Sequence, residues 1–261
     1  GGFDLVAQGM SGLMSITGES KDKPPMKVGA PITDITAGLL ATSGILAALV
    51  HRNKTGEGQK VDTSLFEAGI VHTYWQSAIA GATGQSPGPL GSAHPLTAPY
   101  QAFKTMDKWI TVGASNQNTW LMLLKAINRM DLQENEMFSS NFNRKKNIIQ
   151  LVEILNAELI KKTSDEWLKI FDDNGLPCGP INSINEMFED PQTIEREMII
   201  EVDNKKAGTS KAIGMPIKFS KSKTEKSKGA PNLGEHTKEI MKIFDYNDEQ
   251  IEDFYNRKVI L

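Results

Sequence analysis

The chain has 261 residues, 39% of them hydrophobic and 23% charged, with a formal net charge of −3 and a pI near 5.9. That is enough for one large or two modest domains, and it carries no basic footprint for nucleic acid. The single cysteine, Cys178, excludes an internal disulfide framework and fits a reducing, cytoplasmic compartment, and no Cys/His cluster has metal-ligand spacing.

The longest apolar run falls well short of the roughly 20 residues a membrane span needs, so no membrane partner is expected, and nothing at the N-terminus resembles a signal peptide. The chain opens GGFDLVAQGMSGLMS, without an initiator Met and inside what reads as a structured segment. A missing upstream region is the expectation. Residues 3 to 16 read as a short helix or turn structure packed on a core, followed by a polar loop, SKDKPP, at Ser20 to Pro25.

Gly29 to Val50, GAPITDITAGLLATSGILAALV, is the segment around which the rest is organised. Thr33 and Asp34 are N-cap residue types at the entry to an apolar run in which Ile35, Leu39, Leu46, Leu49 and Val50 recur at helical spacing. Ala37, Gly38, Ala41, Gly44, Ala47 and Ala48 occupy the other side, which predicts a helix buried all round. Asp34 has two readings. It caps orphan N–H groups and complements the helix dipole, or it is a nucleophile held ionised and aimed into a cleft.

A basic, glycine-punctuated loop, HRNKTGEGQKVD, leads into a predicted helix over Asp62 to Ala80. There Ser64 and Glu67 have capping-box spacing, and Leu65, Ala68, Val71, Trp75 and Ile79 form a stripe. His72 reads as a core or interface histidine. Gly81 to Pro99 is dense in Gly and Pro and reads as a domain boundary or an active-site loop.

Beyond it, Tyr100 to Lys104 and Trp109 to Gly113 predict two strands around a Met106-Asp107-Lys108 turn. Helices are predicted over Asn118 to Arg129, over Lys145 to Lys162, and from Ser164 to a stop at Gly175. LPCGPIN, Leu176 to Asn182, reads as a rigid connector into a helix capped by Ser183 and Glu186 and closed by Asp190-Pro191. Strands are expected at Ile199 to Val202 and Ile213 to Phe219, a basic loop at Ser220 to Pro231, and two short helices near Glu235 to Phe244 and Asp248 to Asn256. No internal repeat is visible. GxGxxG after a strand, GxxxxGK[ST] and GxSxG are all absent, so the common nucleotide and serine-hydrolase signatures do not apply.

Several segments in order, TGEGQKVDTSLFEA, PYQAFKT with WITVGASNQ, GLPCGPINSINEMFEDPQ and LGEHTKEI, resemble the family III CoA-transferases, the CaiB/BaiF family, over essentially the whole chain. The resemblance implies an α/β fold with a Rossmann-like large domain built from both ends of the chain and a smaller α+β domain between. Residues 1–99 would be the large-domain segment carrying the catalytic Asp, 100–182 the small domain, and 183–261 the return segment and C-terminal part of the large domain. Two subunits would interlock as a homodimer in the full-length protein. The family's N-terminal portion, which carries much of the CoA nucleotide site, has no counterpart in this chain.

By the same resemblance Asp34 is the catalytic aspartate, and coenzyme A is a cosubstrate with no metal. Gly2, Phe3, Asp4 and Leu65 would lie beside CoA, and Gly91, Ser92, His94 and Asn116 beside the acyl group or the acid. For Phe3, Asp4 and Leu65 the other reading is two core apolars and a local cap. For His94 it is a residue that pins its loop. The wording of HPLTAPYQAFKT and WITVGASNQ is close to the succinyl-CoA–glutarate branch, which makes acyl-CoA and a short dicarboxylic acid the expected substrates.

The same family includes α-methylacyl-CoA racemases, which need acid/base groups on both faces of the α-carbon. In those enzymes a His precedes the Asp of the motif aligned with Phe3-Asp4 and a Glu stands at the position of Asn116, so this chain departs from the racemase pattern at both places. A third reading is a non-catalytic, truncated assembly partner.

Overall fold

A computed structural model describes residues 2–204, 206–222 and 229–261. The mixed α/β class is as expected, and the chain separates into two compact units, Gly1–Ile181 and Asn182–Leu261. Residues 223–228 of the expected basic loop lie outside the described residues.

In the first unit, helices α1 (Asp4–Met10) and α2 (Leu13–Ile16) precede the long α3 (Ile32–Thr55), and α4 (Leu65–Val71) and α5 (Tyr74–Thr83) follow. The single helix expected over Asp62 to Ala80 is broken at His72-Thr73. Thr73 donates both its N–H, at 3.0 Å, and its hydroxyl, at 2.8 Å, to the Ile70 carbonyl, a side-chain bond that competes with the regular ladder. Ser64 caps α4 as predicted, its Oγ accepting from Glu67 N at 3.2 Å.

Helix α3 is not buried. Only Thr33 and Ala37 are, while Ile35, Leu39, Leu46 and Val50 are 49% to 63% exposed. Its neighbours in the unit, α1 and α4, cover one side alone. The 24-residue α3, in which an 18-residue stretch has mean hydropathy 1.6, is also long and apolar enough to cross a membrane by length and composition. The run-length expectation missed this because Gly, Ser and Thr interrupt the apolar run without adding charge.

Strands β1 (Tyr100–Lys104) and β2 (Trp109–Gly113) pair antiparallel with Tyr100 opposite Gly113, and β3 (Cys178–Pro180) adds to β2. LPCGPIN is therefore partly an edge strand, where a proline can sit without removing a needed donor. Against this sheet pack α8 (Ile148–Leu159) and α9 (Ser164–Asp173), with α6 (Gln117–Ala126) on α9 and α7 (Asn141–Lys146) on α8, and α9 stops before Gly175 as predicted. The core of the unit lies here. Leu151, Leu155 and Leu159, one face of α8, are fully buried with Trp120, Leu123, Leu124, Phe103 and Phe171. At roughly 1.5–3 kcal/mol per large apolar side chain, this cluster is the main source of the unit's stability.

The second unit holds α10 (Ile184–Glu189), with the predicted Ser183–Glu186 capping box, and α11 (Pro191–Glu195). Asp190 does not simply close α10. Its Oδ1 accepts from the N–H groups of Gln192 and Thr193 and so starts α11. Strands β4 (Ile199–Asn204) and β5 (Gly208–Ile213) form an antiparallel hairpin with Asn204 opposite Gly208. The second strand precedes the expected Ile213 to Phe219, a stretch in which Pro216 would interrupt a ladder. Helices α12 (Thr237–Ile243) and α13 (Asp248–Asn256) finish the chain near their expected places.

Candidate active site at the start of helix α3

The N-cap of α3 is Pro31, which makes Ile32, Thr33 and Asp34 the first three helical residues. An N-cap side chain ordinarily accepts from the second or third N–H, and an acid at the third position ordinarily reaches back to the N-cap N–H. Pro31 has neither a side-chain oxygen to offer nor an N–H to give. The two consequences define the site.

The missing cap oxygen comes from another helix. Asp4 Oδ1 accepts from the Thr33 N–H at 3.0 Å and from the Thr33 hydroxyl at 2.8 Å. Its Oδ2 accepts from Gln8 Nε2 at 2.8 Å, and Gln8 Oε1 accepts from Val28 N at 2.9 Å. Thr33 and Gln8 are fully buried. Burial pushes the Asp4 carboxyl up, but the hydrogen bonds from Thr33 and Gln8, with the Lys27 charge, outweigh it and hold the group below the usual carboxylate range.

The missing N–H leaves Asp34 free. Its carboxylate makes no hydrogen bond or ion pair with any described residue and is exposed, whereas Ile32 N turns to Ala30 O and Ile35 N to Pro31 O. Its side chain therefore does not cap the helix. Close packing fixes the surroundings, because Gly69 on α4 faces Ser11 and Thr33. A β-carbon there would stand 2.7 Å from Ser11 Cβ.

Of the residues expected near CoA, Gly2 and Leu65 line one cavity of about 420 Å³ with Val6, Ala7, Met10 and Phe66. Phe3 is 81% exposed and outside any core. Asp4 caps α3 rather than its own helix, whose N-cap is Phe3.

Of those expected near the acid, Ser92 lines a second cavity of about 370 Å³ beside β1 and β2, and its Oγ accepts from Ala102 N at 3.0 Å. Gly91, at φ +58, donates its N–H to Gly18 O at 2.8 Å. Asn116 heads α6, its Oδ1 accepting from Thr119 N at 3.0 Å in a full capping box.

His94 does pin its loop. Nδ1 accepts from the N–H groups of Leu96 and Thr97 at 3.0 and 3.2 Å. The ring lies edge-on to Trp75 and Tyr100, at centroid distances of 4.6 and 5.3 Å. In the neutral ring this places the proton on Nε2, a donor that no described residue takes. Burial, then the Lys145 charge, lowers the imidazole pKa. His72 is exposed rather than in a core, and its Nε2 meets Thr36 Oγ1 at 2.7 Å, tying α4 to α3.

Sequence reading missed Gln8, Arg144 and Lys145, and took Thr33 as an N-cap residue type where the N-cap is Pro31. Arg144 and Lys145 hold the loop from α7, with Arg144 Nε on Ala98 O at 2.8 Å and Lys145 Nζ on His94 O at 3.0 Å. The signal that could have found Thr33 and Gln8 is the proline at the N-cap, which demands an outside acceptor.

Comparison with known proteins shows the family. The chain is 37% identical to an acyl-CoA transferase of Fusarium pseudograminearum over 267 residues, covering 100% of this chain and 57% of that protein. It is 34% identical to the succinyl-CoA:glutarate CoA-transferase of Mus musculus, covering 96% and 58%. It is 33% identical to the succinyl-CoA:mesaconate CoA-transferase of Haloarcula marismortui, covering 92% and 60%. A crystal structure of a CaiB/BaiF family protein from Brucella suis superposes with a TM-score of 0.78 at 32% identity, covering 93% of this chain and 62% of that one. The chain thus spans 57% to 60% of the length of these curated relatives. With the profile of CoA-transferase family III matching residues 1–237, the chain belongs to that family.

Proposed function

We propose that the protein moves CoA from an acyl-CoA thioester to a short dicarboxylic acid, with Asp34 as the nucleophile. The observation that carries this reading is the exposed Asp34 carboxylate, unpaired at a helix start whose N-cap lacks an N–H. Relatives named for succinyl-CoA:glutarate and succinyl-CoA:mesaconate transfer support the substrate class.

An Asp34 oxygen attacks the thioester carbonyl, the C–S bond breaks and CoA leaves as thiolate, giving a mixed anhydride. The thiolate attacks the Asp34 carbonyl, expels the donor carboxylate and leaves an aspartyl-CoA thioester. The acceptor carboxylate attacks that thioester carbonyl, the C–S bond breaks and CoA leaves again as thiolate from a second mixed anhydride. The thiolate then attacks the acceptor acyl carbon and the C–O bond to Asp34 breaks, releasing new acyl-CoA and free Asp34. A carboxylate is a weak nucleophile in water and gains from a bound geometry that makes the attack effectively intramolecular.

Gly2 and Leu65 would contact CoA through their shared cavity. The His94 Nε2–H would donate to a substrate carboxylate while Nδ1 holds the loop. Residues 1–99 and 183–261 would form the large domain and 100–182 the small one, in an interlocked cytoplasmic homodimer. The test is a transfer assay with the full-length protein and 2-methylacyl-CoA in deuterated water. CoA transfer with the α-proton retained is expected. Loss of the α-proton without transfer would make the protein a racemase and overturn the reading.

A further inference from the structure

The Asp4–Gln8 chain has a fixed polarity. The Asp4 carboxylate accepts at both oxygens, from Thr33 and from Gln8 Nε2, and Gln8 Oε1 accepts from Val28 N–H. It ties α1 to both ends of the segment, 28 to 33, that delivers the backbone into α3, and Asp34 is the next residue. Both Asp4 oxygens are committed inside the protein, so the side chain has little left for a ligand. By doing the capping that Pro31 cannot do, it also leaves the Asp34 carboxylate without a backbone N–H to compete for it.

We infer that Asp4 and Gln8 are positioning residues that set the start of α3 so that Asp34 stays unpaired and aimed at the thioester, and that Asp4 is not a CoA ligand. The inference rests on the reading of Asp34 as nucleophile. A misplacement of about 1 Å at a reacting group is worth up to ~100-fold in rate, which is the scale on which such a clamp acts.

The test exploits the polarity. Asp4→Asn in the full-length protein sets an amide N–H against Gln8 Nε2, and turning the Gln8 amide over only sets Nε2 against the Val28 N–H. One end breaks either way. Asp4→Asn combined with Gln8→Glu makes the chain whole again, because a carboxylate at position 8 accepts from both sides. The single variant should lower kcat by ~10–100-fold and slow hydroxylamine trapping of Asp34, with KM for acyl-CoA within ~2-fold. The double variant should return kcat to within ~3-fold of wild type. Thr33→Val, which removes one hydrogen bond and no charge, should give the same split at smaller size. A raised KM with unchanged kcat in Asp4→Asn, or a double variant no better than the single, would overturn the inference. Asp34→Ala that still transfers CoA would instead overturn the reading beneath it.

Discussion

Arg144 Nε donates to the Ala98 carbonyl at 2.8 Å, and the Ala98 N–H is taken at 3.0 Å by Asn141 Oδ1, one turn earlier on the same helix. The guanidinium is fully buried, lies 5.0 Å from the Trp120 ring centroid, and gives its Nη1 to Phe138 O and Gln117 Oε1. It is the post on which the His94 loop hangs. Arg144→Met keeps much of the volume and strands the Ala98 and Phe138 carbonyls, at about 1–3 kcal/mol for each buried acceptor left unpaired. A loss of about 2–6 kcal/mol is expected, read as a lower urea midpoint at unchanged slope. An unchanged midpoint would show that the loop is held elsewhere.

His94 gives a pH dependence with a definite sign. Burial and the Lys145 charge put its folded pKa below the ordinary 6.5, so the unfolded chain binds the extra proton first. Its contribution is fully present above pH 6.5 and is lost as pH falls from there through the folded value. Protonation would place a hydrogen on Nδ1 against the N–H groups of Leu96 and Thr97. His94→Asn, which keeps an acceptor near Nδ1, should flatten the stability profile below neutrality. An imidazole resonance titrating at or above 6.5 would contradict this.

Asp107 shows the opposite case. The Ser164 N–H is the largest influence lowering its pKa, burial opposes it, and Thr105 Oγ1 and Lys108 N add to the lowering. The folded carboxyl sits below the ordinary 3.8, so the stabilisation is present above pH 3.8 and disappears as pH falls through the folded value. Asp107→Asn should be less stable than wild type at neutral pH and converge with it in acid. Parallel acid curves for the two proteins would refute the assignment.

These residues show what the sequence could carry. The hairpin of β1 and β2 was readable to the residue because alternating side chains and the Met106-Asp107-Lys108 turn are local signals, whereas the single helix expected over Lys145 to Lys162 is broken at Asn147, between α7 and α8. The exposure of α3 was not readable, because an apolar pattern says that a surface is suited to burial and not which neighbour is there to cover it. β3 was missed since three residues containing Gly and Pro have no strand signal of their own and are ordered by pairing with β2. At the site, the sequence and the family resemblance singled out Asp34. The partner that caps its helix lies 29 residues from Thr33, beyond any periodicity, and only the fold brings them together.

The most direct test is chemical trapping at Asp34 during turnover. The full-length protein is incubated with acyl-CoA, quenched with hydroxylamine and mapped by mass spectrometry of the peptide that spans Gly29 to Val50. The account predicts a hydroxamate at Asp34 that requires acyl-CoA and disappears when a saturating acceptor acid discharges the intermediate. An Asp34 peptide that stays unmodified while CoA is being transferred would contradict it.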